Sequence, residues 1–110
     1  MNKKLILKAV AVSSGKAQGK VKIVLNASDT SKFQKGEVLV TTMTDPTMVI
    51  MMSKASAIVT DTGGITCHAA IVSREMGIPC VVATKNATQI LKDGQEVIVD
   101  GDQGEIYLVS

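Results

Sequence analysis

Aromatic side chains are almost missing from this 110-residue chain, which has one Phe (Phe33), one Tyr (Tyr107) and no Trp. Bases therefore have no platform to stack on. The net charge of +2 is small and the lysines are scattered, so an electrostatic nucleic-acid surface is not expected either. Cysteine is sparse: Cys67 and Cys80 stand thirteen positions apart, far from a CxxC spacing. With a single histidine they make a poor zinc set, and free thiols of a cytoplasmic protein are the simpler reading. Long apolar runs are also lacking, and nothing approaches the length that crosses a bilayer. The opening Met1–Leu7 resembles a signal peptide only briefly, because Lys8 interrupts it and strand pattern resumes after Ser13-Ser14-Gly15. The expectation is one soluble domain over residues 1–110, with no metal, nucleic acid or membrane of its own.

What remains is aliphatic. Hydrophobic residues make up 45% and charged residues 20%, enough for a packed core of Val, Ile, Leu, Ala and Met. Leu5 to Val12 and Val21 to Leu25 read as strands flanking a Ser13–Gly19 connection. Asn26 to Lys35 is polar, a loop or a short helix, and Glu37 to Thr41 is a third strand. Asp45-Pro46 signals a helix start, followed by methionines at roughly helical spacing up to Lys54. Met43, Met48, Met51 and Met52 are expected as core filler. Ala57-Ile58-Val59 and Cys80-Val81-Val82-Ala83 suit strands buried on both faces. Between them Thr66 to Met76 reads as a helix ended by Gly77 and Pro79. Ala87 to Leu91 is a helical turn or two, and Glu96–Val99 with Glu105–Val109 forms a hairpin. The class is α/β, a mixed sheet with a central strand–helix–strand unit.

Chemistry concentrates in Thr60-Asp61-Thr62-Gly63-Gly64-Ile65-Thr66-Cys67-His68-Ala69-Ala70, a strand end, a double-glycine turn and a helix start. Paired glycines let the backbone approach a phosphate-sized group. The first helical turn offers unpaired N–H groups that favour an anion. The same field disfavours imidazolium, leaving His68 neutral and nucleophilic. Ala69 and Ala70 leave the ring sterically open. Thr66 is placed to cap the helix, or to bond the ring or a phosphoryl group on it. Cys67 points about 100° away from His68 around a helix and reads as a packing residue. Arg74, nearly two turns on, is too far to be a direct phosphate ligand and suits an acid on a partner. Asp61 is placed to cap a neighbouring group or to contact the site.

Gly63 to Arg74 closely resembles the phosphohistidine signature of the phosphoenolpyruvate-utilising enzymes, which include phosphoenolpyruvate synthase, pyruvate phosphate dikinase, enzyme I of the sugar phosphotransferase system and rifampin phosphotransferase. Gly36–Val40, Thr44-Asp45-Pro46, Ala57–Asp61, Glu75–Pro79, Asp93–Val97, Asp100-Gly101 and Gly104 resemble the mobile domain of that family too. The Thr-Cys-His-Ala-Ala form is most like phosphoenolpyruvate synthases.

The resemblance implies a swivelling β/β/α phosphohistidine domain. Its histidine is a transiently phosphorylated carrier, a phosphotransferase component of a kinase-like enzyme rather than a complete enzyme. His68 falls on the phosphorylated position and Thr66 on the threonine two before it. Gly63, Gly64, Cys67 and Ala69 are the candidate phosphate-binding positions. An ATP-grasp-type nucleotide-binding domain and a TIM-barrel domain that binds phosphoenolpyruvate or pyruvate are the implied partners. Mg²⁺ and ATP or phosphoenolpyruvate are expected on them, and no cofactor on this domain. Ile65 stands where a basic or longer residue is common, which would weaken contact with a charged donor, and Ala83 stands where glycine is expected. Either the domain belongs to a larger enzyme or it works with separate subunits, and the initial Met1 favours a small complete protein. The alternative class is a non-catalytic interaction or regulatory module retaining the fold. A thiol or metal enzyme using Cys67 has little support.

Overall fold

The computed structural model describes residues 2–26, 29 and 32–110. Among the described residues, eight strands and three α-helices follow one another as β1 (Lys3–Lys8), β2 (Val10–Ser13), β3 (Lys16–Ile23), β4 (Val38–Thr41), α1 (Val49–Lys54), β5 (Ala57–Thr60), α2 (His68–Met76), β6 (Cys80–Val82), α3 (Ala87–Ile90), β7 (Glu96–Asp100) and β8 (Glu105–Val109). A 3-10 turn, Pro46–Met48, leads into α1. The strand order is β1-β8-β7-β3-β4-β5-β6-β2.

β3 divides the sheet. Its first part, Lys16–Lys20, pairs antiparallel with β7, and its last part, Val21–Ile23, pairs parallel with β4. β4, β5 and β6 continue in parallel, and β2 closes that edge antiparallel to β6. Alternation along β4 shows why its run is wholly apolar. Leu39 joins a cluster with Met48, Met51, Met52, Ala69 and Ala70 from the α1–α2 side. Val38 and Val40 join Val97, Val99 and Ile106 from the antiparallel half. Both faces of the parallel strands are thus covered, one by helices and one by the other half of the sheet. The result is a three-layer β/β/α fold. With Phe33 the one ring in that cluster, unbranched Met51 and Met52 fill much of the space between helix and sheet, fully buried.

Several expectations change. Leu5–Val12 is not one strand: it breaks at Ala9, and its halves pair at opposite edges, β1 with β8 and β2 with β6. Only Ser14 and Gly15 connect β2 to β3, because Lys16–Gly19 belong to the strand. The β5–α2–β6 unit lies toward one side of the strand order. The helix expected from Thr66 begins at His68. Met43 is not core filler but 61% exposed, whereas Met48, Met51 and Met52 are buried. Within the polar stretch Asn26–Lys35, residues 27, 28, 30 and 31 lie outside the described residues, as does Met1.

Candidate functional site

The site forms where two loops leave the carboxyl ends of neighbouring parallel strands, a usual place for ligands in such sheets. β4 and β5 pair from Val38–Ala57 to Thr41–Thr60, so the segments that follow run side by side. Backbone bonds continue past the strands: Asp61 N donates to Thr41 O at 3.0 Å, and Thr62 N to Thr42 O at 3.1 Å. The β5 loop then turns through Gly63 and Gly64 into α2. The β4 loop carries Met43 and Thr44 across to meet it.

His68 is the first residue of α2 and is half-buried. Its Nδ1 lies 2.7 Å from Thr44 Oγ1. A proton on Nδ1 donated to that hydroxyl leaves the Nε2 lone pair free. Thr44 is buried, and the chain turns into a 3-10 segment directly after it. Asp45 caps the 3-10 turn, accepting from Thr47 N at 2.8 Å and from the Thr47 hydroxyl. Those two hydrogen bonds hold the Asp45 carboxyl below the usual range, with a small further contribution from nearby His68 and a small opposing one from burial.

A cavity of about 200 Å³ opens here. Gly63, Cys67, His68 and Ala69, all expected site residues, line it together with Met43 and Thr44. Cys67 is the N-cap of α2, and its side chain makes no capping bond. Ile71 N is the first helical amide to find a partner, Cys67 O at 3.1 Å. The amides of His68, Ala69 and Ala70 have none among the described residues, which is the anion-favouring arrangement of a helix start.

The two glycines differ. Gly63 has φ +129°, and a Cβ there would lie 2.9 Å from Cys67 Sγ. Gly64 has no positive φ and open space around it, and it does not line the cavity. Thr66 is exposed, neither capping α2 nor bonding the His68 ring, whose Nδ1 is taken by Thr44. Asp61 turns out to be a cap: its carboxylate accepts from Thr88 N at 3.0 Å and Thr88 Oγ1 at 2.6 Å, at the start of α3. Cys80 is buried and packs in the helix-side core, and desolvation pushes its thiol up to about 12. Thr44 is the residue that motif reading left without a role. The Thr44-Asp45-Pro46 match marks its segment but not its role, since its partner lies 24 positions away.

The model for the PEP-utilising enzyme mobile domain matches residues 33–104, a span that contains both Thr44 and His68. The chain belongs to that family. Over 104 residues the mobile domain is 57% identical to a probable phosphoenolpyruvate synthase of Archaeoglobus fulgidus, covering 94% of this chain and 14% of the relative. It is 55% identical over 103 residues to the phosphoenolpyruvate synthase of Pyrococcus furiosus, covering 94% of this chain and 13% of the relative. The chain therefore spans about one seventh of the length of these relatives. Among solved structures, an NMR structure of Enzyme I (nEIt) superposes with a TM-score of 0.63 at 33% identity, covering 73% of this chain and 33% of that one.

Two residues expected to depart from the family pattern acquire a physical meaning. Ala83, where glycine is expected, has φ +59°, a left-handed conformation that L residues adopt at a cost. Ile65 is 63% exposed beside the site, an apolar side chain presented to whatever approaches. Among the described residues of the mobile domain, no three His, Cys, Asp or Glu side chains come together to hold a metal ion. No helix is long and apolar enough to cross a membrane.

Proposed function

We propose that this mobile domain is a phosphoryl carrier in which His68 Nε2 accepts a phosphoryl group and passes it on. The observation that carries the reading is the 2.7 Å contact between Thr44 Oγ1 and His68 Nδ1. It engages the nitrogen that must keep its proton and leaves the other for attack. Nε2 attacks phosphorus in line; the N–P bond forms as the bond to the leaving oxygen breaks. The proton stays on Nδ1, donated to Thr44, and the ring carries the resulting positive charge. In the second transfer an acceptor oxygen attacks phosphorus, the N–P bond breaks, and its electron pair returns to Nε2. The free amides of His68, Ala69 and Ala70 supply donors for the phosphoryl oxygens.

The donor and acceptor sites lie outside this domain, on an ATP-grasp-type nucleotide-binding domain and a TIM-barrel domain that binds phosphoenolpyruvate or pyruvate. There Mg²⁺ neutralises phosphate charge when bound. Motion of this domain between them would make the cycle a phosphoenolpyruvate synthase-like reaction in the cytoplasm. Sequence identity of 55–57% to such enzymes over nearly the whole chain supports this choice of donor and acceptor.

The test is incubation with radiolabelled phosphoenolpyruvate or ATP, together with the remaining domains of a phosphoenolpyruvate synthase. An acid-labile, base-stable label is expected on the wild type and none on His68→Ala that is folded by circular dichroism. A label that survives His68→Ala would overturn the assignment.

A further inference from the structure

A second cavity, of about 470 Å³, opens at the far end of α2, between its last turn and β2. Val12, Ser13, Ser14, Arg74 and Gly77 line it. Arg74 Nε donates to the Val12 carbonyl at 2.7 Å. That bond fixes the guanidinium plane, while both terminal amino groups lack a partner among the described residues. Ser13, 7% exposed, and Ser14 bring two hydroxyl-bearing residues to the same rim. Both border a cavity that a guanidinium held through its Nε also borders.

Negative charge on the Ser14–Lys16 side is already engaged. Asp102 Oδ1 accepts from Gly15 N at 3.0 Å, and Asp100 Oδ2 faces Lys16 Nζ at 3.7 Å. Glu75 follows Arg74 on α2 but points about 100° around the helix from it. At Gly77 the rim is open, since a Cβ there would meet nothing within 4 Å. A strap between α2 and β2 needs only the Nε contact. It leaves both terminal amino groups of the exposed Arg74 side chain available to a ligand in the cavity.

The geometry points to an oxyanion site at this end of α2, taking one phosphate or carboxylate group. The guanidinium offers a bidentate fork, and Ser13 and Ser14 add hydroxyl donors at its side. Arg74 lies six residues beyond His68, about 9 Å of helical rise, so this site is separate from the histidine's cavity and does not depend on the carrier reading. Its occupant is either a free phosphate-type anion or a carboxylate.

The experiment is an NMR titration of the 110-residue chain with inorganic phosphate and, separately, with acetate, observing backbone amides and the Arg74 Nε–H. Saturable shifts are expected at Ser13, Ser14, Gly77 and Arg74 within tens of millimolar anion. Saturation by phosphate alone assigns a phosphate-type ligand, and saturation by acetate as well assigns a carboxylate-competent site. Arg74→Gln, which keeps a donor for Val12 O, should weaken binding by about ten-fold or more, as expected for losing a charged hydrogen-bond pair. Ser13→Ala with Ser14→Ala leaves the strap intact and should weaken binding a few-fold with no change in melting temperature. Shifts confined to Thr44 and the Gly63–His68 segment would belong to the carrier site and overturn the proposal. So would an unchanged affinity in Arg74→Gln, or no saturable shift with either anion.

Discussion

Thr44 Oγ1 and His68 Nδ1 stand 2.7 Å apart, joining the loop after β4 to the first turn of α2. The bond fixes ring orientation and, with the proton on Nδ1, the nucleophilic tautomer. Thr44→Val keeps the shape and removes the hydroxyl. Phosphorylation of His68 is expected to slow by about 10–100-fold, the kinetic equivalent of about 1.5–3 kcal/mol for a hydrogen bond to a group that becomes charged. Thr44→Ser should recover most of the rate. Initial rates of label uptake check this, with thermal melts confirming that the variants are folded. An unchanged rate in Thr44→Val would show that the bond does not prepare the ring.

Gly63 and Gly64 look equivalent in the sequence but should respond differently to alanine. At Gly63 the positive φ and the 2.9 Å approach to Cys67 Sγ make Gly63→Ala destabilising by about 1–3 kcal/mol. At Gly64 neither constraint exists, and Gly64→Ala should change stability by less than about 0.5 kcal/mol. Urea denaturation measures both. If Gly64→Ala still loads phosphate slowly, the glycine serves close approach of the donor rather than the fold.

Ala83, like Lys85 at φ +76°, carries a local backbone cost that a glycine would avoid. Its φ of +59° costs about 1–2 kcal/mol for an L residue, while glycine adds unfolded-state entropy worth about 0.4–1 kcal/mol. Ala83→Gly should therefore stabilise by about 0.5–1 kcal/mol, read as a higher denaturation midpoint at unchanged slope. A lower midpoint would mean that contacts of the Ala83 methyl outweigh the strain.

The thiols should separate in reactivity. Burial pushes Cys80 up to about 12, so it should resist iodoacetamide at pH 8 in the folded protein and react after denaturation. Cys67 borders the cavity beside His68, and its modification would fill that space and block loading of the histidine. Mass spectrometry of peptides alkylated with and without urea tests the first point. Label uptake by alkylated protein tests the second.

Local chemistry was readable where it repeats at short range. Asp45-Pro46 does start a helical segment, and Gly77 does end α2 with φ +70°. The apolar runs at β5 and β6 are buried on both faces, as their composition required. Readability failed where partners are distant. Leu5–Val12 looks continuous because periodicity carries no record of which strands its halves will join, and β1 and β2 go to opposite edges. Met43 has the same composition signal as Met51, but only the turn after β4 decides that it faces outward. Within the site, Gly63 and His68 were legible because they share one turn. Thr44 was not, since only the parallel pairing of β4 with β5 brings it to the ring. Of the two roles open to Asp61, capping and site contact, the structure shows the first: its carboxylate turns toward α3 and holds Thr88.

The central claim concerns a single atom, His68 Nε2, and phosphorus–nitrogen coupling reads it directly. The chain is prepared with ¹⁵N in its only histidine, phosphorylated by the remaining domains of a phosphoenolpyruvate synthase, and observed by ³¹P and ¹⁵N NMR in neutral buffer. The expected result is one ³¹P resonance coupled to Nε2, with Nδ1 protonated. Coupling to Nδ1, or a phosphoryl signal coupled to no histidine nitrogen, would contradict it.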